Sequence, residues 1–402
     1  YRKNIYKIIF LNMEDLIFKI KLTLSFFQLI SLRISYFIFR YIIKPKSKKK
    51  FVVGTHEIAG NIKNLSMCLE DVFSVCLRPN HFYNYKYNFQ LFFKNRILAL
   101  IEKFFFGPLL LGYLMNVSKV FFYVWDEGFL IERSLELKYL KQKEKKIILL
   151  FCGDDVRSPK LSLEYSNKRG LENFLNYQPK SNLIKQEKKV KRNALYADLY
   201  ADLIFNYPIC QISYLKNPTY YFPYMYPRNK FFKNLSKFND LKKIKIVHAP
   251  SDPLGKGTPL FRAAIKKLIL MGYNFEYIEL INKNNNEVLN ELKSSHIVLN
   301  SLYGLGSTLG LFSIEALANT NCLLISHYVN TNEKTSFIKE SRGAFMNTKY
   351  WEVFNNLKFL LDNPNEVKKI ALNGYDYALK FFEYSNAKKY YHQVFMENNI
   401  LN

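Results

Sequence analysis

The architecture of this chain is carried by the segment Ile246-Val-His-Ala-Pro-Ser-Asp-Pro-Leu-Gly-Lys-Gly-Thr258. A β-branched apolar run ends at His248, two prolines and two glycines make a turn, and helical spacing runs from Pro259 to Met271. Strand, glycine-bearing loop and helix in that order form the repeating unit of an open parallel sheet. Lys256 stands between Gly255 and Gly257, ahead of the helix start. Glycines let a backbone approach a phosphate closely, a helix start offers free N–H groups, and the lysine offers charge. The Walker pattern GxxxxGK[ST] is absent, so spacing alone reads equally well as a turn with a solvated lysine.

The same unit recurs on both sides of this segment. Downstream, strands are expected at Phe275–Glu279, Ser295–Asn300 and Cys322–Ile325. Helices are expected at Asn286–Leu292, Gly310–Ala318, Trp351–Leu361 and Pro364–Glu397. Upstream, Phe51-Val-Val53 leads into the glycine loop Gly54–Asn61 and a helix from Ile62. Val75–Leu77, Val120–Trp125 and Lys146–Cys152 follow as strands, with a mainly helical aromatic stretch over residues 81–119. Residues 160–192 read as exposed helix, and Ala201–Phe205 and Tyr220–Pro223 as closing strands. Pro218, Pro223, Pro227 and a polar stretch to Lys243 mark a boundary.

The expected fold class is therefore α/β, with two Rossmann-like doubly wound domains facing across a cleft. They would span residues 51–240 and 241–370, with a helical extension over 1–50 and a last helix over 371–402 returning to the first domain. Ligands of such sheets sit at the carboxyl ends of the strands.

A second segment, Gly304-Leu-Gly-Ser-Thr-Leu-Gly-Leu-Phe-Ser-Ile-Glu-Ala316, places Glu315 on an otherwise apolar helix face. A carboxylate there is costly to bury without a partner. The hydroxyl pair of a ribose would serve, and so would a backbone N–H or a lysine.

Together the two segments resemble the carboxyl-terminal domain of GT-B fold glycosyltransferases of the group 1, or family 4, type. The matching residues are Lys256, Gly257, Thr258, Gly310, Glu315 and Ala316. The likeness extends to Gly54–Asn61 and to Phe151-Cys-Gly-Asp-Asp-Val-Arg157, and covers roughly residues 51–395. It implies metal-independent, retaining transfer of a sugar from a nucleoside diphosphate sugar to a glycan or lipid-linked acceptor, as in bacterial-type surface polysaccharide assembly. By that resemblance Lys256, Gly257, Thr258, Ser307, Thr308, Gly310 and Glu315 hold the donor, Lys256 on its diphosphate and Glu315 on its ribose. Gly60, Asn61, Gly153 and Arg157 are candidates for holding the acceptor. His56 and Asp155, at strand ends, are the catalytic candidates. The nucleotide sugar is a substrate, so no cofactor and no metal are expected.

Three positions depart from the family pattern. Ser307 stands where a second glutamate precedes the first, Ser251 where an arginine commonly precedes the lysine, and Thr320-Asn-Cys322 where Gly-x-Pro is usual. An inactive or binding-only relative is thus an alternative, and an epimerase of nucleotide sugars on the same fold is another.

Composition bounds these readings. The 402 residues are 49% apolar and 17% aromatic, which excludes wholesale disorder. Lys plus Arg is 59 against 33 Asp plus Glu, a net charge of +26 that favours anionic partners. AT-rich codon usage gives the same bias without selection for charge. A nucleic-acid-binding protein is the rival class, yet no RNP, KH, zinc-finger or helix-turn-helix signature occurs, so no nucleic acid is expected as a partner. The five cysteines Cys68, Cys76, Cys152, Cys210 and Cys322 include no CxxC, consistent with reduced thiols in a cytoplasmic setting.

Residues 16–43 are mostly apolar but carry Lys19, Lys21, Arg33 and Arg40, and the basic run Lys44–Lys50 follows. A chain started at Met13 would lack residues 1–12. The longest charge-free stretch, Leu22–Leu32, is shorter than the ~20 residues of a spanning helix. Two expectations stand side by side: a basic amphipathic segment on the inner face of an anionic membrane, or a helix packed on the first domain with no apolar stripe left exposed.

Overall fold

The computed structural model describes the chain apart from residues 1, 79–84, 94, 207–211, 304–308, 327–340 and 402, and describes no side chain at 2–15 or 96. The chain opens with a long helix, α1 (Arg2–Phe37), followed by one π-helical turn. The first sheet then forms from β1 (Phe51–Thr55), α2 (Asn61–Cys68), β2 (Val72–Cys76), β3 (Phe89–Gln90), α3 (Arg96–Val117), β4 (Val120–Val124), α4 (Arg133–Gln142), β5 (Lys146–Leu150), α5 (Pro159–Asn167), α6 (Lys180–Tyr200) and β6 (Leu203–Phe205). Its strands are all parallel, in the order β3-β2-β1-β4-β5-β6. Phe51 pairs with Val72 on one side and Val120 on the other. Every residue of β1 and β4 is buried, as helices on both faces of a parallel sheet require.

The second sheet comprises β7 (Ile244–His248), α7 (Thr258–Leu270), β8 (Phe275–Glu279), α8 (Asn285–Ser294), β9 (Ile297–Leu299), α9 (Leu311–Ala318), β10 (Cys322–Ile325) and β11 (Met346–Asn347). It too is parallel, in the order β11-β10-β9-β7-β8. Strand order reverses between β1 and β4 in one sheet and between β7 and β9 in the other. Loops leaving those strands part in opposite directions and open a crevice.

The chain ends in α10 (Val353–Asp362), α11 (Pro364–Phe382) and α12 (Tyr384–Glu397). α11 packs on α9 and β10, and the chain then turns at Glu383, whose carboxylate accepts the Ser385 N–H at 3.1 Å. α12 lies against the first sheet. Phe395 packs on Phe51 at 5.5 Å between ring centroids, and the Tyr384 hydroxyl donates to Asn64 Oδ1 at 2.9 Å. One apolar core therefore runs from Phe122 and Phe205 through Phe222 to Leu317 and Phe382.

Three expectations about elements are corrected. Residues 81–119 are helical only over Arg96–Val117 among the described residues, because Asn95 caps the helix there through Oδ1. Tyr220–Pro223 makes one bridge, Tyr220 with Phe205, and no strand, since its aromatic rings are drawn into the inter-sheet core. Pro364–Glu397 is two helices, and the break at Glu383 redirects the chain from the second sheet to the first.

Phe395→Ala removes the ring that ties α12 to β1. It should cost about 3–5 kcal/mol of stability by denaturant unfolding. A loss in the range of ordinary surface substitutions, within about 0.5 kcal/mol, would show that α12 is not held this way.

Candidate functional site

Between the sheets lies a cleft of about 500 Å³. This falls in the ~300–1,000 Å³ range of small-molecule sites. Its walls are the loops at the carboxyl ends of strands from both sheets.

On the first-sheet side, the loop after β1 supplies Ile58 and Ala59, and the position after β4 supplies Trp125. His56 does not line the cleft; its ring packs edge-on against Trp125 at 5.9 Å. Its Nδ1 lies 3.6 Å from Glu127 Oε1, and burial lowers its pKa to about 4, so it is neutral at pH 7. Gly60 and Asn61 also stand outside the wall. The Glu57 carboxylate already occupies the start of α2, accepting the N–H groups of Ile62 at 3.3 Å and Lys63 at 3.2 Å and the Tyr87 hydroxyl at 2.8 Å. An anion would have to displace it. The wall on this side is therefore Ile58 and Ala59, one to two residues before the expected pair.

After β5 the chain turns through Cys152-Gly-Asp-Asp-Val-Arg157. Asp155 is fully buried, and its carboxylate accepts the N–H of Cys152 at 3.1 Å and of Gly153 at 2.8 Å. Burial and the neighbouring Asp126 push its pKa up to about 7. Its expected catalytic place is corrected on this geometry: Asp155 organises the turn, while the adjacent Asp154 lines the cleft together with Gly153 and Arg157. Arg157 reaches Asp154 at 3.5 Å, lies over the Phe174 ring at 5.7 Å, and leaves its buried Nε without a partner.

On the second-sheet side, the loop 249–257 folds on itself. The N–H of Lys256 donates to Asp252 O at 2.9 Å, and that of Thr258 to Pro253 O at 2.9 Å. Gly257 has φ 79°, a conformation that favours glycine, and a Cβ there would press on Leu302 at 3.0 Å. The Thr258 hydroxyl is engaged with His248 Nε2 at 2.8 Å, whose Nδ1 meets Leu299 O at 2.9 Å. Gly257 and Thr258 thus shape the loop, and Lys256 is the member of the three that enters the cleft.

The Lys256 ammonium has no acidic partner within ion-pairing distance among the described residues. Its pKa is lowered by burial and by the Arg157 guanidinium across the cleft, with Asp252 opposing. Two cations from opposite sheets thus line one cleft, where a dianion between them would be complementary to both.

Gly310, at the start of α9, lines the cleft with open space around its Cα, and Glu315 lies one turn further on. Glu315 is only 4% exposed, and Oε1 accepts from Asn285 Nδ2 at 2.9 Å. Burial raises its pKa from 4.5 to about 7. Ser307 and Thr308 lie outside the described residues. The loop after β8 adds Asn282 and Lys283, and the first residue of α8 adds Asn285, all three missed by the sequence reading. The polar run Asn282–Asn286 directly after a strand was the available signal. Among the described residues, no cluster of three or more His, Cys, Asp and Glu gathers as metal ligands.

No family model and no curated protein matches the sequence. Solved structures do resemble it. HepE of Anabaena in complex with UDP and glucose superposes with a TM-score of 0.53 at 9% identity, over 87% of this chain and 99% of that one. The same protein with UDP-glucose gives 0.51 at 9%, over 87% and 100%. A glycosyltransferase from Rickettsia africae gives 0.49 at 10%, over 88% and 99%. At 9% identity the two HepE superpositions show a likeness of fold, and the chain has the GT-B fold.

Glu315→Gln should separate stability from binding. The folded carboxyl holds its proton more tightly than the unfolded one, so the wild-type protein loses stability as pH rises from about 4.5 through about 7. The neutral variant escapes that loss. It should gain up to about 3 kcal/mol over wild type at pH 8 and little at pH 4, by unfolding at both values. An equal difference at the two pH values would mean that the carboxyl is not burdened in this way.

Proposed function

We propose that this chain is a glycosyltransferase that uses a nucleoside diphosphate sugar, with the diphosphate clamped between Lys256 and Arg157. The observation that carries the reading is that these two cations, one from each sheet, line one cleft beside the buried carboxylate of Glu315. A nucleoside diphosphate offers groups complementary to all three: a dianion for the cations and a ribose diol for the carboxylate. The GT-B fold of the chain is compatible with this reading, and HepE of Anabaena has been seen with UDP, glucose and UDP-glucose.

In the reaction, the bond from the anomeric carbon to the diphosphate oxygen breaks and a bond to an acceptor oxygen forms. Negative charge grows on the leaving diphosphate. Fixed cations aimed at that charge in a partly dry cleft stabilise the transition state more than the ground state. Lys256 and Arg157 supply this in place of a metal ion. The acceptor oxygen attacks the face from which the diphosphate leaves, so configuration is retained, and its proton passes to the departing phosphate oxygen. Asp154, on the first-sheet wall beside Gly153, orients the acceptor hydroxyl, and a glycan or lipid-linked acceptor enters from the side of Ile58 and Trp125. Ser251 stands where relatives place an arginine, and Arg157 supplies that charge from the other sheet.

Lys256→Ala should weaken UDP binding by roughly 1.5–3 kcal/mol, the scale of a charge-assisted hydrogen bond. Unchanged affinity in calorimetry would refute the clamp. Diphosphate binding raises the depressed pKa of Lys256 and so takes up a proton. UDP affinity should therefore fall as pH rises through the free lysine's pKa, below the ordinary lysine value, and the effect should vanish in Lys256→Ala.

A further inference from the structure

α1 is built inside out. Among its described side chains the buried ones are Ser25, Gln28, Leu32 and Ser35, three of the four polar. Most of the outward ones are apolar: Leu16, Ile20, Phe27, Ile30, Ile34 and Phe37 recur at helical steps, and Phe27 is 57% and Ile34 56% exposed. Lys19, Lys21, Thr23 and Arg33 stand exposed among them. The polar side is fully used. Gln28 Nε2 donates to Phe104 O at 2.9 Å, Ser35 Oγ to Leu109 O at 2.8 Å, and Ser25 Oγ accepts the Glu132 N–H at 2.7 Å. Gly112 of α3 lets the helices close, since a Cβ there would lie 2.4 Å from Ser35 Oγ. These hydrogen bonds and this close approach commit the polar side of α1 to α3 and residue 132 and leave apolar side chains outward. α3 continues the surface with Ile97, Ile101, Phe105 and Leu109, all exposed, and Phe92 just before it is 83% exposed. An apolar tract across two helices marks an interaction site.

We infer that the paired outer faces of α1 and α3 rest on the surface of an anionic lipid bilayer. The occupant is chosen by charge. Lys19, Lys21, Arg40, Lys44 and Lys46 border the tract, and no Asp or Glu occurs between Asp15 and Glu57. The one acid of α3, Glu102, is engaged by the N–H groups of Phe92 and Phe93 at 2.8 and 3.0 Å. A second copy docked on this face by a two-fold axis would bring like charges together, whereas acidic headgroups complement them. Both helices are long and apolar enough to cross a bilayer, against the expectation from the short charge-free stretch. Yet the last turns of α3 bury Leu111, Leu114 and Met115 in the first-sheet core and α1 is bonded to α3 and to residues 131–132, so the pair lies on the bilayer. Of the two readings that the sequence offers, packing on the first domain is met, but with an apolar stripe left exposed, so packing and membrane contact are compatible.

The test is flotation of the full chain, without nucleotide, with phosphatidylcholine vesicles containing or lacking phosphatidylglycerol. The protein should float with the anionic vesicles at low salt and be released at high salt. Each flanking lysine changed to serine should weaken binding roughly fivefold. Phe27→Ser combined with Phe105→Ser should reduce the bound fraction about tenfold or more with unchanged thermal melting, because both side chains are exposed. Failure to float with anionic vesicles, or flotation indifferent to these substitutions, overturns the inference. So does a vesicle-free dimer that the Phe27→Ser change splits, or retention after alkaline carbonate. UDP affinity of the double variant should equal that of wild type, so failure here leaves the clamp reading standing.

Discussion

The packing of Phe395 on Phe51 joins the last helix of the chain to its first strand, and with it the second sheet to the first. A parallel sheet buries both faces, so chemistry is left to the row of loops at its strand ends. Two such rows make one site only if something fixes their facing. Here α11 is committed to α9 and β10, α12 to α2 and β1, and the aromatic linker Phe222-Pro-Tyr-Met-Tyr226 fills the space between. Lys256 and Arg157 are about a hundred residues apart in sequence and share a cleft because of that packing.

The charged groups Lys256, Arg157 and Glu315 that line the cleft are not satisfied by one another. Lys256 and Arg157 carry like charges, Glu315 is held by one asparagine, and Arg157 Nε is buried without a partner. Under the proposed clamp each of these groups would gain a partner from a nucleoside diphosphate. Glu57 and Asp155, by contrast, are buried carboxylates whose oxygens are occupied by backbone N–H groups. They shape loops. The distinction between the two kinds of buried acid lies in their partners, and burial alone does not draw it.

This is also where sequence reading reached its limit. The alternation of strand and helix from Phe51 to Ile325 was legible because apolar periodicity and glycine-bearing turns are local signals. Lys256, Gly310 and Glu315 were legible because they follow strand ends in a recognisable order. Asp154 and Asp155 were not separable, since adjacent residues in a tight turn point in opposite directions and only the fold says which faces in. Nor was the role of Thr258, whose hydroxyl is bound by a histidine ten residues away. The meeting of Arg157 with Lys256 depends on how two sheets dock, and no spacing encodes it. The inverted pattern of α1 was visible as an apolar run, but which face is buried is decided by Gly112 and the carbonyls of α3.

The most direct test of the account is a crystal structure of the chain with UDP bound. The account predicts β-phosphate oxygens within hydrogen-bonding distance of both Lys256 Nζ and the Arg157 guanidinium, with the ribose hydroxyls on Glu315. A nucleotide whose phosphates touch the second sheet alone, leaving Arg157 on Asp154, or one bound outside the cleft, would contradict it.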